Sequence, residues 1–200
     1  MAKNNEKLSI ENNNGVIAGN VDNLHISYSN SIKLSILASI LKCMIDDDAL
    51  NTPPSKKLLP YDIDDKILFN NVIKYKEIIN DYSGFCKICE ETINKLDNIK
   101  PNTKSKILRS VHNKYLLIKG DYLKNKDSFE KEIEIVRKNA DSILDKIKEC
   151  YIEQVLKTDL LMKYPYEDLE LNLTAFIVYC FVECEILERP PQEKKYDCKL

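Results

Sequence analysis

Tryptophan is absent from this chain, and glycine (4 residues) and proline (7 residues) are sparse for a length of 200. With so few residues suited to sharp or left-handed turns, an all-β sandwich or barrel is disfavoured and a helical fold is predicted. The glycines stand at positions 15, 19, 84 and 120, too dispersed to build a phosphate-cradling loop. Only three of the 30 basic residues are arginine (Arg109, Arg137, Arg189), the side chain best suited to bidentate phosphate and base contacts. Acids number 32, so the net charge of −2 gives no sign of a basic nucleic-acid-binding domain. The longest apolar stretch, LTAFIVYCFVECEIL from Leu173 to Leu187, is broken by Glu183 and Glu185. It is shorter than the roughly 20 residues needed to span a bilayer, so a buried core helix is predicted and no membrane segment. The opening MAKNNEKLSIENNNG has no apolar signal-like core, and seven cysteines is an odd number, which argues against a secreted disulfide framework. A cytoplasmic chain with reduced thiols is the expectation.

The chain does hold 44% hydrophobic and 31% charged residues, enough apolar material for a core inside a well-solvated shell. Residues 1–14 read as a polar, Asn-rich lead. Residues 15–29, with Val16, Val21 and Leu24 punctuated by Gly19-Asn20 and Asp22-Asn23, read as a short β-hairpin. Residues 30–46 carry Ile32, Ile36, Leu37, Ile40, Leu41 and Met44 at helical spacing and read as one apolar helix. The Asp46-Asp47-Asp48 run and Pro53-Pro54 end it, because carboxylates are unfavourable at a helix C-terminus and proline cannot continue the ladder. After a linker over 47–59, residues 60–190 read as a helical bundle domain, followed by a polar tail at 191–200. The fold class is therefore mainly α: a helical bundle preceded by a short N-terminal β-hairpin and one apolar helix.

Within the bundle, five helices are predicted. The first runs from about 61 to 82 on the stripe Ile63, Ile67, Leu68, Val72, Tyr75, Ile78, Ile79 and Tyr82. The second carries Phe85, Cys89, Ile93 and Leu96. The third, from Thr103 to about Lys124, carries Ile107, Leu108, Val111, Tyr115, Ile118 and Tyr122. The fourth is the longest, from Asp127 to about Leu161, and the fifth runs from Glu167 to about Glu188, closed by Pro190-Pro191. Because it is apolar on nearly every face from Leu173 to Val182, the last helix is predicted to sit at the centre.

Few residues invite a catalytic reading. His25 and His112 have no carboxylate pair or nucleophile at a recurring spacing, and HExxH, GxSxG and paired-Asp motifs are missing. No catalytic residue and no cofactor are assigned. Cys86 and Cys89 form a CxxC, and with Cys180 and Cys184 they number the four thiolates of a zinc site. Both pairs fall in helical patterns rather than on a turn, so buried thiols are the favoured reading and no metal is assigned. Tyr75, Tyr82, Tyr115 and Tyr122 interleave with lysines as on a nucleic-acid surface, yet they fall on apolar stripes, where core packing is favoured. A short apolar helix on its own linker must find a groove. Its own bundle, a partner and a second copy of the chain are the three candidates, with Ile32, Ile36, Leu37, Ile40, Leu41, Met44, Val16, Val21 and Leu24 as candidate interaction residues.

Three stretches, LLPYDIDDKILFNNVIKYKEIINDY, KSKILRSVHNKYLLIKGDY and LNLTAFIVYCFVECEILERPP, together resemble the C-terminal domain of bacterial ABC-three-component (Lamassu-like) antiphage conflict systems. The likeness rests on Pro60, Ile63, Lys66, Ile67 and Asn70, and on Cys184, Ile186, Glu188 and Pro190 at the end of the last helix. It covers about residues 58–191, and NNNGVIAGNVDNLHI resembles the short strand segment that precedes such domains. The resemblance implies an SMC/Rad50-like ABC ATPase and an effector subunit as partners. Nucleic acid would then be met only indirectly. Only about 57 residues precede the bundle, too few for an effector enzyme domain, so a non-enzymatic adaptor subunit is the expectation. A small nucleic-acid-binding accessory module is the alternative, and a homo-oligomer formed through the N-terminal segment is a further expectation.

Overall fold

A computed structural model describes residues 35–53, 63–124 and 130–191, and the expected hairpin at 15–29 lies outside them. The described residues are mainly helical: α1 (Ile36–Asp46), α2 (Ile63–Phe69), α3 (Lys76–Tyr82), α4 (Cys86–Ile99), α5 (Thr103–Leu123), α6 (Glu132–Lys138), α7 (Ala140–Leu156) and α8 (Tyr166–Val182), with short 3-10 turns at Ala49–Asn51, Ser83–Phe85 and Asp159–Leu161. None of these helices is long and apolar enough to cross a membrane.

The predicted central helix is central. α8 starts behind Pro165, whose missing N–H costs nothing there, and Glu167 and Asp168 complement the positive end of its dipole. From Ala175 to Val182 every residue is buried, and α8 packs against α1, α3, α4 and α7. A helix apolar all round has no face to give to water, so the other helices must wrap it. Tyr151 of α7 meets Phe176 of α8 edge to face, with ring centroids 6.4 Å apart.

Three helix boundaries differ from the sequence expectation, and in each the backbone breaks where periodicity alone sees continuity. The stripe from Ile63 to Tyr82 is two helices. Asn71 takes a left-handed φ of 55°, with Val72 N–H donating to Ile67 O at 3.0 Å and Asn71 N–H to Leu68 O at 3.1 Å. This is a Schellman termination, with asparagine at the position that glycine most often fills. Leu68 consequently lies on the surface, 68% exposed. The Asp141 carboxylate of α7 then accepts the backbone N–H groups of Ile73, Lys74 and Tyr75 and holds the connection to α3. The expected fourth helix is likewise interrupted: α6 ends at Asn139, whose side-chain amide donates back to Ile135 O at 2.8 Å, and α7 ends at Leu156. Asp127 and Phe129 lie outside the described residues.

The last helix ends at Val182 rather than near Glu188. Cys184 takes φ 64°, with Glu185 N–H donating to Cys180 O at 3.0 Å and Cys184 N–H to Phe181 O at 3.1 Å, a second Schellman termination. The chain turns again at Leu187 (φ 61°), which puts Ile186 and Leu187 into the core instead of along a helix face.

α1 belongs to the same core. Leu37, Ile40, Leu41 and Met44 are at most 1% exposed, and α1 packs on α8, α4 and α5. The boundary expected between an appended helix at 30–46 and a separate bundle from 60 onward is therefore not a boundary in packing.

Candidate functional site

The most elaborate polar arrangement joins the two halves of the sequence pattern around Lys66, Asn70, Ile186 and Glu188. Lys66, on the buried side of α2, and Asn70, one residue past its end, are one helical turn apart, a spacing that places both side chains on one face. Both are fully buried, which is rare for a lysine unless its ammonium is satisfied. Lys66 Nζ donates to Phe181 O in the last turn of α8 and to Ile186 O, at 3.0 Å, in the segment beyond it. It also lies 4.3 Å from the centroid of the Phe181 ring, over its negative face. A cation at a helix C-terminus meets the negative end of the dipole and satisfies carbonyls left without intrahelical partners. Burial nevertheless dominates its ionisation: loss of hydration pulls the Lys66 ammonium down to about 8, against smaller opposing contributions from Cys184 and Glu185.

Asn70 fixes the next residues. Its Oδ1 accepts Glu188 N–H at 2.9 Å while its Nδ2 donates to Glu188 O at 2.8 Å, so one side-chain amide pairs with both polar groups of one backbone residue. The same Nδ2 donates to Lys66 O at 2.9 Å, which locks the rotamer. The Glu188 carboxylate turns the other way and accepts from Tyr115 Oη and Lys119 Nζ on α5, both at 2.7 Å. Burial alone would raise the Glu188 carboxyl, but the hydrogen bonds from Lys119 and Tyr115 outweigh it and hold it below its ordinary range. Beside it, His112 Nδ1 lies 3.5 Å from Glu185 Oε2. The segment after α8 is thus held by α2 on one side and α5 on the other. Chemically this is a clamp: the Lys66 and Asn70 polar atoms are spent on backbone groups.

The cysteines divide differently from the CxxC arithmetic. Cys86, Cys89 and Cys180 are buried where α4 packs on α8, and burial pushes the Cys89 and Cys180 thiols well up. Cys184 lies beyond the end of α8, in the segment that Lys66 holds through Ile186 O. Among the described residues no group of His, Cys, Asp or Glu is arranged to hold a metal ion.

The tyrosines are committed to packing. Tyr115 is buried, Tyr75 donates its hydroxyl to Asp145 at 2.6 Å, and Tyr82 and Tyr122 pack partly buried against the core. Of the candidate interaction residues, Leu37, Ile40, Leu41 and Met44 are core residues whose apolar surface α4, α5 and α8 already cover. The physical reason is that α8 leaves no side unwrapped, and α1 supplies one of the walls. Ile36 is half-buried at the start of α1, and Ile32, Val16, Val21 and Leu24 lie outside the described residues.

Sequence reasoning did not place Lys66 in the core, nor pair Asn70 with Glu188. The available signals were a lysine and an asparagine interrupting an apolar helix face, and the place of Lys66, Asn70, Ile186 and Glu188 in the family resemblance, neither of which says what those side chains touch. Exposed apolar side chains gather instead at the junction of α7 and α8, where Leu156, Met162 and Tyr166 surround a groove of about 230 Å³ floored by Val155, Leu161 and Leu169. Comparison of the chain with protein-family models, with curated proteins and with solved structures finds no match.

Proposed function

We propose that this chain is a non-enzymatic interaction subunit of the ABC-three-component, Lamassu-like kind, whose helical bundle docks on an SMC-like ABC ATPase. The observation that carries the reading is the meeting of the two motif halves. Lys66 and Asn70 contact the backbone of Phe181, Ile186 and Glu188 across a separation of 115 to 120 residues. A pattern whose separated parts support one another in space has a physical reason to occur together, and that favours a shared domain fold over coincidence. The roles of these residues also fit a binding module, since Lys66 and Asn70 stabilise a fold and leave no polar atom aimed at a substrate. Among the described residues, the groove beside Leu156, Met162 and Tyr166 offers a partner exposed apolar surface that the buried face of α1 does not.

The test is co-expression of the full chain with an SMC-like ABC ATPase and an effector encoded beside it. Co-elution of the chain with the ATPase is the expected result, reduced by Met162→Glu without loss of folding. A chain that elutes alone in the presence of both neighbours overturns the proposal.

A further inference from the structure

The charge of α5 sets it apart from the rest of the chain. From Thr103 to Gly120 it carries Lys104, Lys106, Arg109, Lys114 and Lys119 and no acidic residue, in a chain whose net charge is −2. Its cations divide by side. On the flanks, Lys104 Nζ pairs with Glu90 at 2.9 Å, Lys119 Nζ pairs with Glu188 at 2.7 Å, and Lys114 Nζ stands 4.5 Å from the centroid of the Tyr151 ring. Lys106 and Arg109 are exposed and meet no carboxylate among the described residues.

Helical spacing continues the line of these two cations into an apolar end. Positions 106, 109, 113, 116 and 120 follow one another at three and four residues, which aligns them on one side of the helix over about 21 Å. Asn113, in the middle, is exposed. Leu116 is 46% and Leu117 74% exposed, and a Cβ built at Gly120 would meet nothing within 4 Å. Ile107, Val111, Tyr115 and Ile118 take the opposite side into the core, so the stripe is the outward face of a helix already fully packed on its inner one.

We propose that this outward face, from Lys106 to Gly120, docks a helical segment of a partner protein whose contact stripe is acidic opposite Lys106 and Arg109 and apolar opposite Leu116 and Leu117. Carboxylates supply the counter-charge that the fold gives to the flanking lysines but not to this pair, and apolar side chains cover the two leucines. Gly120 presents no side chain there, so the partner backbone can approach closely. A nucleic-acid backbone fits less well. Charge-driven duplex binding draws on about 6–10 phosphate contacts, whereas here two unpaired cations adjoin two leucines that a phosphate leaves wet. The face shares no residue with the groove beside Met162, so the two surfaces are tested separately.

The experiment titrates the full chain at low ionic strength with a labelled helical peptide of about 21 residues, six turns, bearing leucine at every a and d position of a heptad and glutamate beside them. The same peptide with lysine in place of glutamate, and duplex DNA of about 20 base pairs, are titrated in parallel. Anisotropy gives the affinity, and the amide resonances of α5 give the place. Saturable binding of the glutamate peptide is expected, with shifts centred on Arg109, Asn113 and Leu117 and weaker binding of the other two probes. Lys106→Ala with Arg109→Ala should weaken it about tenfold, the scale of two exposed ion pairs, and Leu117→Ser should weaken it severalfold. Lys106→Glu with Arg109→Glu should reverse the preference, so that the lysine peptide binds the more tightly. All of these side chains are exposed, and circular dichroism checks that each variant keeps the fold. The proposal is overturned if the glutamate peptide does not saturate by about 1 mM, if the shifts fall outside α5, if the charge-reversed variant keeps the wild-type preference, or if the DNA binds more tightly than the peptide.

Discussion

Replacing Asn70 by alanine removes the side chain that closes the clamp, and its cost follows from the bonds it makes. Two cross-segment hydrogen bonds, at 2.9 and 2.8 Å, are lost, leaving Glu188 N–H and C=O without their partners. Each unsatisfied buried group costs about 1–3 kcal/mol. Glu188 is only partly buried, so water recovers some of this, and Asn70→Ala should destabilise the chain by about 2–4 kcal/mol. For a domain of this size each kcal/mol corresponds to about 2–4 °C, which gives a fall in Tm of roughly 4–16 °C. Urea unfolding gives the global value, and hydrogen exchange localises it. The Glu188 amide should lose protection before the amides inside α8 do, since the residues after Val182 are released while the helix keeps its own ladder. Asn70→Asp keeps the acceptor for Glu188 N–H but loses both donated bonds and buries a charge, so it should be no milder than alanine. A loss below about 0.5 kcal/mol, within the range of an ordinary surface substitution, or unchanged exchange at Glu188, would refute the clamp.

Three further outcomes follow from the same region. Because burial lowers the Lys66 ammonium to about 8 in the folded chain, the unfolded chain binds more protons above that pH, and wild-type stability gains on Lys66→Met by on the order of 1 kcal/mol between pH 8 and 9. The buried thiols act in the opposite sense but are common to both proteins, so a flat difference between paired urea titrations would contradict this. Glu188, held below its ordinary range by Lys119 and Tyr115, contributes stability that is present above that range and lost as pH falls through it. Glu188→Gln should therefore flatten the decline in Tm below about pH 5, and an unchanged acid limb in calorimetry would count against it. At Cys184, where φ is 64°, glycine fits the left-handed backbone and a β-branched residue does not. Cys184→Val should unfold at lower urea than Cys184→Gly by at least about 1 kcal/mol, and the reverse order would remove the Schellman argument.

Legibility differed sharply between helix content and helix ends. The stripe Ile107, Val111, Tyr115 and Ile118 placed α5 nearly to the residue, and the start of α4 near Phe85 was visible for the same reason. The breaks at Asn71, Asn139 and Cys184 were not, because the apolar pattern runs across them. An asparagine or a cysteine can sit in a helix as well as end one, and which it does depends on whether partners await the freed backbone. Asp141 meets the amides after Asn71, and Lys66 meets the carbonyls near Cys184. The clamp is half legible in the sequence: Lys66, Asn70, Ile186 and Glu188 belong to the resemblance as a pattern, and only the fold shows them as contacts.

The amino-acid sequence alone determined that the chain is mainly helical and that the stretch from Leu173 to Val182 is its centre, since a segment with no polar face must be wrapped whatever the surrounding topology. Tertiary structure decided the rest. It buried the lysine of α2 against the end of α8, ended two helices in left-handed residues, and made α1 a wall of the core rather than an arm for a partner. The reason is one of range. Periodicity records which face of a helix avoids water, whereas the identity of what covers that face, and of the acceptor that satisfies a buried cation, is set by residues more than a hundred positions away.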